Sequence, residues 1–301
     1  MPRFGLIGCP LQGSRSPRLF TAAYNGKYAY DLLEEADFEV AWNRFLREDY
    51  RAINVTAPFK QLAYERVLAS GGAIDGPVLR IGATNLIVKT PEGLSAHNSD
   101  FSGVILSVAE GYFPGVVAAC YREFGSRAHI KVHQFVRQNL RELFPDEPQA
   151  LVVGCGGAGR AAAVAAAEMG FETALMNRTP EKAQAFADSL PEYGFLCIPF
   201  SDLKASLREC DLVIWTIPEP IPALDTLCAD DFAGENPGGR PDKLLVEASY
   251  KNPSFTGSYL AMVENGGARY IPGTRWHLFQ AAAGYSLMTG EPCDLEALAK
   301  A

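Results

Sequence analysis

Four short polar clusters have the residue types for chemistry on a small polar molecule: Ser14-Arg15-Ser16, Asn54-Val55-Thr56-Ala57-Pro58-Phe59-Lys60, Gly82-Ala83-Thr84-Asn85 and Asn98-Ser99-Asp100. Their hydroxyls and amides suit a polyhydroxylated substrate. Lys60 can anchor a carboxylate or donate a proton, because a lysine pKa shifts readily on partial burial. An aspartate such as Asp100 beside it would keep it charged and share its proton. Each cluster also has a plain structural reading. Ser14 and Ser16 suit a helix cap, Asn54 and Thr56 a turn before Pro58, and Lys60 a solvated helix face. Asn85 and Asn98 suit turns, and Asp100 suits an N-cap.

A second group serves a different task. The apolar run Ala150-Leu151-Val152-Val153 breaks into Gly154-Cys155-Gly156-Gly157-Ala158-Gly159-Arg160 and then into an alanine-rich segment. This is the pattern of strand, tight turn and helix. Glycine lets a backbone approach a ligand closely, and the helix start offers free N–H groups and a positive dipole end to a phosphate. Asn177-Arg178-Thr179 closes the next apolar run, 177 − 154 = 23 residues after Gly154. A dinucleotide fold reads the adenosine ribose at about that distance, about 20 residues on. An arginine there favours the 2′-phosphate of NADP over NAD, and Lys182 supplies a further positive charge. Cys155 reads as a small apolar filler of the turn.

The elements that must position these groups alternate strand and helix. Phe4–Ile7, Tyr28–Leu33, Ala52–Val55 and Ala83–Val88 read as strands, and Ser16-Pro17 as a helix start. Phe101–Tyr112 reads as a helix. Strands at Leu151–Val153, Thr173–Met176, Phe195–Ile198, Leu212–Trp215 and Leu244–Val246 follow, then helices at Arg275–Met288 and Asp294–Lys300. Such alternation predicts an α/β protein of two domains with mainly parallel sheets. Residues 1–110, joined by the C-terminal helices 275–301, form the substrate-binding domain. Residues 111–149 form a helical insertion or linker, and 150–274 a Rossmann-like NADP-binding domain. Within the insertion Val132, Phe135, Val136, Leu140, Leu143 and Phe144 share one helical face, with Lys131, Arg137 and Arg141 opposite. It reads as a peripheral decoration, with a homodimer contact left open. The Gly234–Lys243 stretch reads as an exposed loop.

The chain has 301 residues, 48% of them hydrophobic, and a net charge of −8. That balance argues against a broad nucleic-acid surface. Seven cysteines without a Cys-x-x-Cys pair fit reduced thiols in a cytoplasmic protein. No apolar run is long enough for a bilayer, and Met1–Gly8 reads as a first strand rather than a signal peptide. His129 and His133 stand four residues apart but lack a third ligand, so a solvated face is expected and no metal. His97 is read equally as a tuner of Asp100 or a turn residue, and His277, near Gln280, as a helix-surface residue or as one that reaches the active cleft.

Taken in order, the chain resembles the shikimate dehydrogenases. The likeness is carried by Gly8-Cys9-Pro10 through Ser14-Arg15-Ser16-Pro17, by Asn54-Val55-Thr56-Ala57-Pro58-Phe59-Lys60, and by Gly82-Ala83-Thr84-Asn85. It continues through Asn98-Ser99-Asp100, the glycine turn with Asn177-Arg178-Thr179, and Gly273 with Gln280. The resemblance implies reversible reduction of 3-dehydroshikimate to shikimate with NADPH, in aromatic amino-acid biosynthesis. It implies Lys60 and Asp100 as the catalytic pair and Ser14 and Ser16 as ligands of the substrate carboxylate. Thr56, Asn85, Gln280 and Tyr250 would meet the rest of the substrate. Gly154, Gly156, Gly157, Ala158 and Asn177 would hold the cofactor. Arg178, Thr179 and Lys182 would meet its 2′-phosphate, and Gly273 the nicotinamide. The chain departs from the family at Gly13, usually histidine, at Ser99, commonly threonine, and at Trp215-Thr216-Ile217-Pro218, usually Asn-Ala-Thr-Ser. Ala248 stands where methionine is common, and residues 112–148 are extra. Two other readings compete: a quinate or dual quinate/shikimate dehydrogenase, and a non-catalytic sensor that binds shikimate or NADPH on the same fold.

Overall fold

The computed structural model describes residues 2–234 and 241–301. Most of the expected 234–243 loop, residues 235–240, lies outside the described residues. The chain divides into two compact units: residues 1–103, 118–129 and 278–301 in the first, and 104–117 and 130–277 in the second.

In the first unit the run Phe4-Gly5-Leu6-Ile7-Gly8 is buried throughout, so it takes an interior place in the sheet. The strands are β1 (Arg3–Gly8), β2 (Ala29–Glu34), β3 (Tyr50–Val55), β4 (Ala73–Ile74), β5 (Leu86–Thr90) and β6 (Gly93–His97). Their order is β2-β1-β3-β5-β6-β4. The pairs β1–β2, β1–β3 and β4–β6 are parallel, whereas β5 runs antiparallel to both neighbours. The helix Phe38–Arg47 shows how sequence builds the covering layer. Asp37 caps it by accepting from the Glu39 amide, and Phe38, Ala41, Trp42 and Phe45 turn one face into the core. Such a stripe follows the 3.6-residue period.

The second unit holds β7 (Gln149–Val153), β8 (Glu172–Met176), β9 (Leu196–Cys197), β10 (Leu212–Trp215), β11 (Leu244–Glu247) and β12 (Arg269–Ile271). All five pairings are parallel, in the order β12-β11-β10-β7-β8-β9. This is the doubly wound arrangement of a Rossmann sheet, with its reversal between β7 and β10. Trp215, Phe232 and Phe255 pack beneath it, each burial contributing roughly 2–3 kcal/mol before entropy.

The α/β class and the mainly parallel sheets match the sequence expectation. Three details differ. The strand expected at Ala83–Val88 begins at Leu86. Gly82 ends the preceding helix in a left-handed conformation, φ +65°, and the Thr84 hydroxyl donates to the Leu86 and His97 carbonyls. The hairpin partner β6 and the strand β12 were not expected. The inserted region is two helices, Val116–Phe124 and Ala128–Asn139, separated by a 3-10 turn at Gly125–Arg127. Gly125 permits that break with φ +54°. On the second helix and the 3-10 turn after it, Val132, Val136, Leu140 and Phe144 are buried, while Lys131, Arg137 and Arg141 are exposed. Among the described residues no helix is long and apolar enough to cross a membrane.

Candidate functional site

Strand direction brings the four polar clusters to one rim of the first sheet. β1 and β3 are parallel, so Ser14–Ser16 and Thr56–Lys60 leave the sheet at the same end. β5 is antiparallel to β3, so Asn85, just before it, comes to that end too. β6 then returns Asn98-Ser99-Asp100 to the rim. Asn85 falls inside the strand expected at Ala83–Val88. It precedes the observed one, and the antiparallel turn of the chain puts it in the right place.

Lys60 opens the helix Lys60–Ala69 and Asp100 lies in the first turn of Ser99–Tyr112. The Lys60 ammonium donates to Asp100 Oδ2. Their side chains are 18% and 4% exposed, so the pair is shielded from water yet the lysine keeps an accessible edge. Neither residue serves the bland role open to it, a solvated charge or a simple cap.

Hydrogen bonds fix the surroundings. The Asn54 amide donates to the Asn85 carbonyl at 3.2 Å and accepts from Tyr30 Oη at 2.8 Å. Asn85 Oδ1 accepts from the Ser99 amide at 2.8 Å and its Nδ2 donates to Ser99 Oγ at 3.0 Å. Asn85 thus ties the start of β5 to the turn that carries Asp100. Ser14 Oγ accepts from the Ser16 amide at 3.3 Å, and Tyr285 Oη donates to the Ser16 carbonyl. Gly284 lies against Ser99 so closely that a Cβ there would sit 3.0 Å from its Oγ, and Gln280 is one helical turn earlier. The contributions of Tyr30 and Gly284 escaped the sequence reading, because nothing local marks a tyrosine or a helical glycine as a rim contact. His97 faces Asp75 through Nδ1 and Ser95 through Nε2, at 3.0 Å from Ser95 Oγ.

In the second unit the glycine turn caps the helix Gly157–Met169, with Gly156 at the N-cap. Gly154 has φ +102°. Gly159, which the sequence reading did not single out, permits the close approach: a Cβ there would overlap the Gly154 carbonyl oxygen and stand 3.1 Å from Thr216 Oγ1. Gly156, by contrast, faces open space. A turn with no room for side chains below and free amides above suits a pyrophosphate. Asn177 accepts from the Cys155 amide at 3.1 Å and donates to the Thr179 carbonyl at 2.8 Å. It therefore braces the turn against the loop after β8. Arg178 is exposed on that loop, and Lys182 is exposed on the first turn of the helix Pro180–Asp188 that follows it. Cys155 is buried, and burial pushes its thiol up, in keeping with a filler. A Cβ on Gly273 would overlap the Ser249 carbonyl and come 2.8 Å from the Tyr250 amide.

Two histidines depart from expectation. His277 is buried and stacks on Tyr250, ring centroids 4.2 Å apart. His133 is half-buried rather than solvated, and burial lowers its pKa. No group of three metal-ligating side chains occurs among the described residues.

Beneath this unit's strand ends lies a buried carboxylate. Glu247 accepts from the Ser254 backbone amide through Oε1 and from the Tyr270 hydroxyl through Oε2. Burial pushes its carboxyl above the ordinary 4.5, and those hydrogen bonds pull it part of the way back. A raised folded-state value means that the native state binds the proton more tightly. The contribution to stability is then greatest below the ordinary value and declines as pH rises through the folded one. Glu247→Gln is expected to flatten the fall of Tm as pH rises above the ordinary 4.5. A melting profile of unchanged slope would remove Glu247 as its source.

Comparison with known proteins decides the family. The model of the family described as shikimate / quinate 5-dehydrogenase matches residues 138–228. A shikimate dehydrogenase (NADP(+)) of Halobacterium salinarum is 32% identical over 99% of this chain and 97% of its own length. The chain belongs to the shikimate dehydrogenase family. A second member, from Moorella thermoacetica, is 29% identical over 95% of this chain and 87% of its own. Among solved structures, the Thermus thermophilus shikimate 5-dehydrogenase in complex with NADP(H) and shikimate shares the fold. Its TM-score is 0.72 at 24% identity, covering 100% of this chain and 98% of that one.

Proposed function

We propose that this family member catalyses the reversible, NADP-dependent reduction of 3-dehydroshikimate to shikimate. The observation that carries the reading is the shielded Lys60–Asp100 contact on a rim lined with hydroxyls and amides. The chain is then an oxidoreductase acting on a CH–OH group. Residues 1–110 with 275–301 serve the substrate and 150–274 the cofactor, with 111–149 as an inserted helical segment.

Ketone reduction places negative charge on the carbonyl oxygen. The Lys60 ammonium stabilises that developing charge and gives the oxygen its proton. Asp100 orients the ammonium and accepts from a neighbouring ring hydroxyl. Ser14 and Ser16 take the substrate carboxylate, and Thr56, Asn85, Gln280 and Tyr250 read the remaining ring positions. Gly154, Gly156, Gly157 and Ala158 would cradle the pyrophosphate of NADP, with Asn177 bracing them and Gly273 near the nicotinamide. When bound, the cofactor supplies the hydride. Seven unpaired cysteines support a cytoplasmic setting, and the net charge of −8 weighs against nucleic acid as a partner. A homodimer would use the inserted helices, where Phe124 and Ile130 are exposed.

Arg178, Thr179 and Lys182 would meet the 2′-phosphate. At about 4 Å and an effective dielectric of about 20, one arginine–phosphate pair is worth roughly 4 kcal/mol before solvent and entropy costs. A quarter of that survives on an exposed side chain, so Arg178→Ala should raise the KM for NADP about fivefold and leave that for NAD unchanged. Equal losses for both would end the 2′-phosphate assignment.

The reading as a whole is tested by a spectrophotometric assay of shikimate and quinate, each with NADP and NAD. Shikimate with NADP is expected to turn over fastest. Preference for quinate would move the chain to the quinate branch. Binding without any nicotinamide absorbance change would make it a sensor.

A further inference from the structure

The order of the second sheet reverses between β7 and β10. A dinucleotide laid across such a switch point puts its adenosine half over β8 and its other half over the strands on the far side. The loops at the carboxyl ends of β10 and β11 are therefore the ones that meet the nicotinamide half. In this chain the first of them opens on Trp215-Thr216-Ile217-Pro218, which stands where the resemblance leads one to expect Asn-Ala-Thr-Ser.

These two loops are joined from beneath by one side chain. Ser254, on the loop after β11, is fully buried. Its Oγ accepts from the Trp215 indole N–H at 2.9 Å and donates to the carbonyls of Glu219 and Ile217, at 2.7 and 3.1 Å. Above it the Glu219 amide donates to the Asn252 carbonyl at 2.9 Å, and Asn252 Nδ2 donates to Glu219 Oε1 at 3.2 Å. Glu219 is held at φ +68°, a conformation that a non-glycine residue keeps only when its surroundings impose it. The far end of the same loop is anchored as well: Thr216 Oγ1 donates to the Val153 carbonyl at 2.9 Å, directly beside the glycine turn.

We infer that Ser254 is a positioning residue that sets the 216–219 loop for the nicotinamide half of the dinucleotide. This rests on the NADP reading of the second unit. A loop held in its bound shape does not have to be ordered when the ligand arrives, so affinity gains by the ordering cost avoided. The effect is confined to one half of the ligand, because the adenosine half is met by the loop after β8, whereas Ser254 bonds to Trp215, Ile217, Glu219 and Glu247.

The test compares NADPH with 2′-phospho-ADP-ribose, which has the adenosine half and both phosphate groups but no nicotinamide. Each is titrated into the full chain and into Ser254→Ala by calorimetry. NADPH is expected to bind the variant about tenfold more weakly, the scale of one buried polar node lost. The fragment should bind both proteins within about twofold and should raise the Tm of each by the same increment. Parallel losses for both ligands would reduce Ser254 to a fold residue, and unchanged NADPH binding would remove its role outright. Should Ser254→Ala not fold, Asn252→Ala cuts the exposed side-chain bond alone. It is expected to weaken NADPH about threefold and the fragment not at all, and no difference between the ligands counts against the inference. A parent protein that binds the fragment but not NADPH overturns the inference alone, whereas one that binds neither overturns the NADP reading with it.

Discussion

Lys60→Ala is expected to lower kcat by about a thousandfold while the KM for shikimate changes by less than about tenfold. In the proposed mechanism the lysine acts chiefly in the transition state, where charge gathers on the oxygen it would protonate. Binding of the ground state would be spread over Ser14, Ser16, Thr56, Asn85 and Gln280. The substitution has a structural cost as well. It leaves Asp100, 3% exposed, as a buried carboxylate without its cation, and removing one member of a buried pair costs about 3–5 kcal/mol. Stability and chemistry separate in the double variant Lys60→Ala/Asp100→Asn, which should recover much of the lost Tm and none of the lost turnover. If kcat survived and KM rose instead, Lys60 would be an anchor for the carboxylate. If the double variant melted no higher than Lys60→Ala, the pair would not be a buried ion pair in solution.

The parts of this molecule that were legible in its sequence are those whose cause is local. Glycines at 154, 156 and 157 after a buried apolar run force a strand, a turn and a helix in that order, and the phosphate-binding end follows from the helix itself. Ser16-Pro17 marks a helix start for an equally local reason, although Arg15 and not the serine takes the N-cap position. The rim of the first sheet was legible in part. The clusters of hydroxyl and amide residues stood out, but their meeting depends on β5 running antiparallel, which no single residue declares. The hairpin of β5 and β6 turns on the short Pro91-Glu92 connection, and its strands are too brief and too mixed in polarity to show a clear period of two. The buried networks were not legible at all. Trp215 and Ser254 are 39 residues apart, and a serine gives no sign in sequence that its hydroxyl will sit under two loops. His277 and His133 misled for the same reason: burial of an imidazole is decided by the neighbours that fold over it. Glu247 is the sharpest case, since a glutamate at a strand end reads as solvated and is fully buried here.

Gly159→Ala is expected to abolish useful NADPH binding, with an affinity loss of at least about a hundredfold, and to lower Tm by several degrees. The added Cβ would overlap the Gly154 carbonyl oxygen and lie 2.7 Å from its carbon. Both are backbone atoms, so no change of rotamer relieves the clash and the helix Gly157–Met169 must move away from the end of β7. Overpacking of this kind costs about 1–3 kcal/mol, and each kcal/mol is worth about 2–4 °C in a chain of this size. The loss of affinity is expected to exceed the loss of stability because, in the proposed site, the helix carries the amides that would face the phosphates, and a displacement of about 1 Å can cost about a hundredfold. Gly156→Ala is the control that separates the two effects. Its Cβ would meet nothing within 4 Å, and its φ of −79° suits any residue. That variant should keep the parent Tm and weaken NADPH only through the methyl group it presents to the ligand. If Gly159→Ala bound NADPH as tightly as the parent, the glycine turn would not be the phosphate site, however well its sequence fits one.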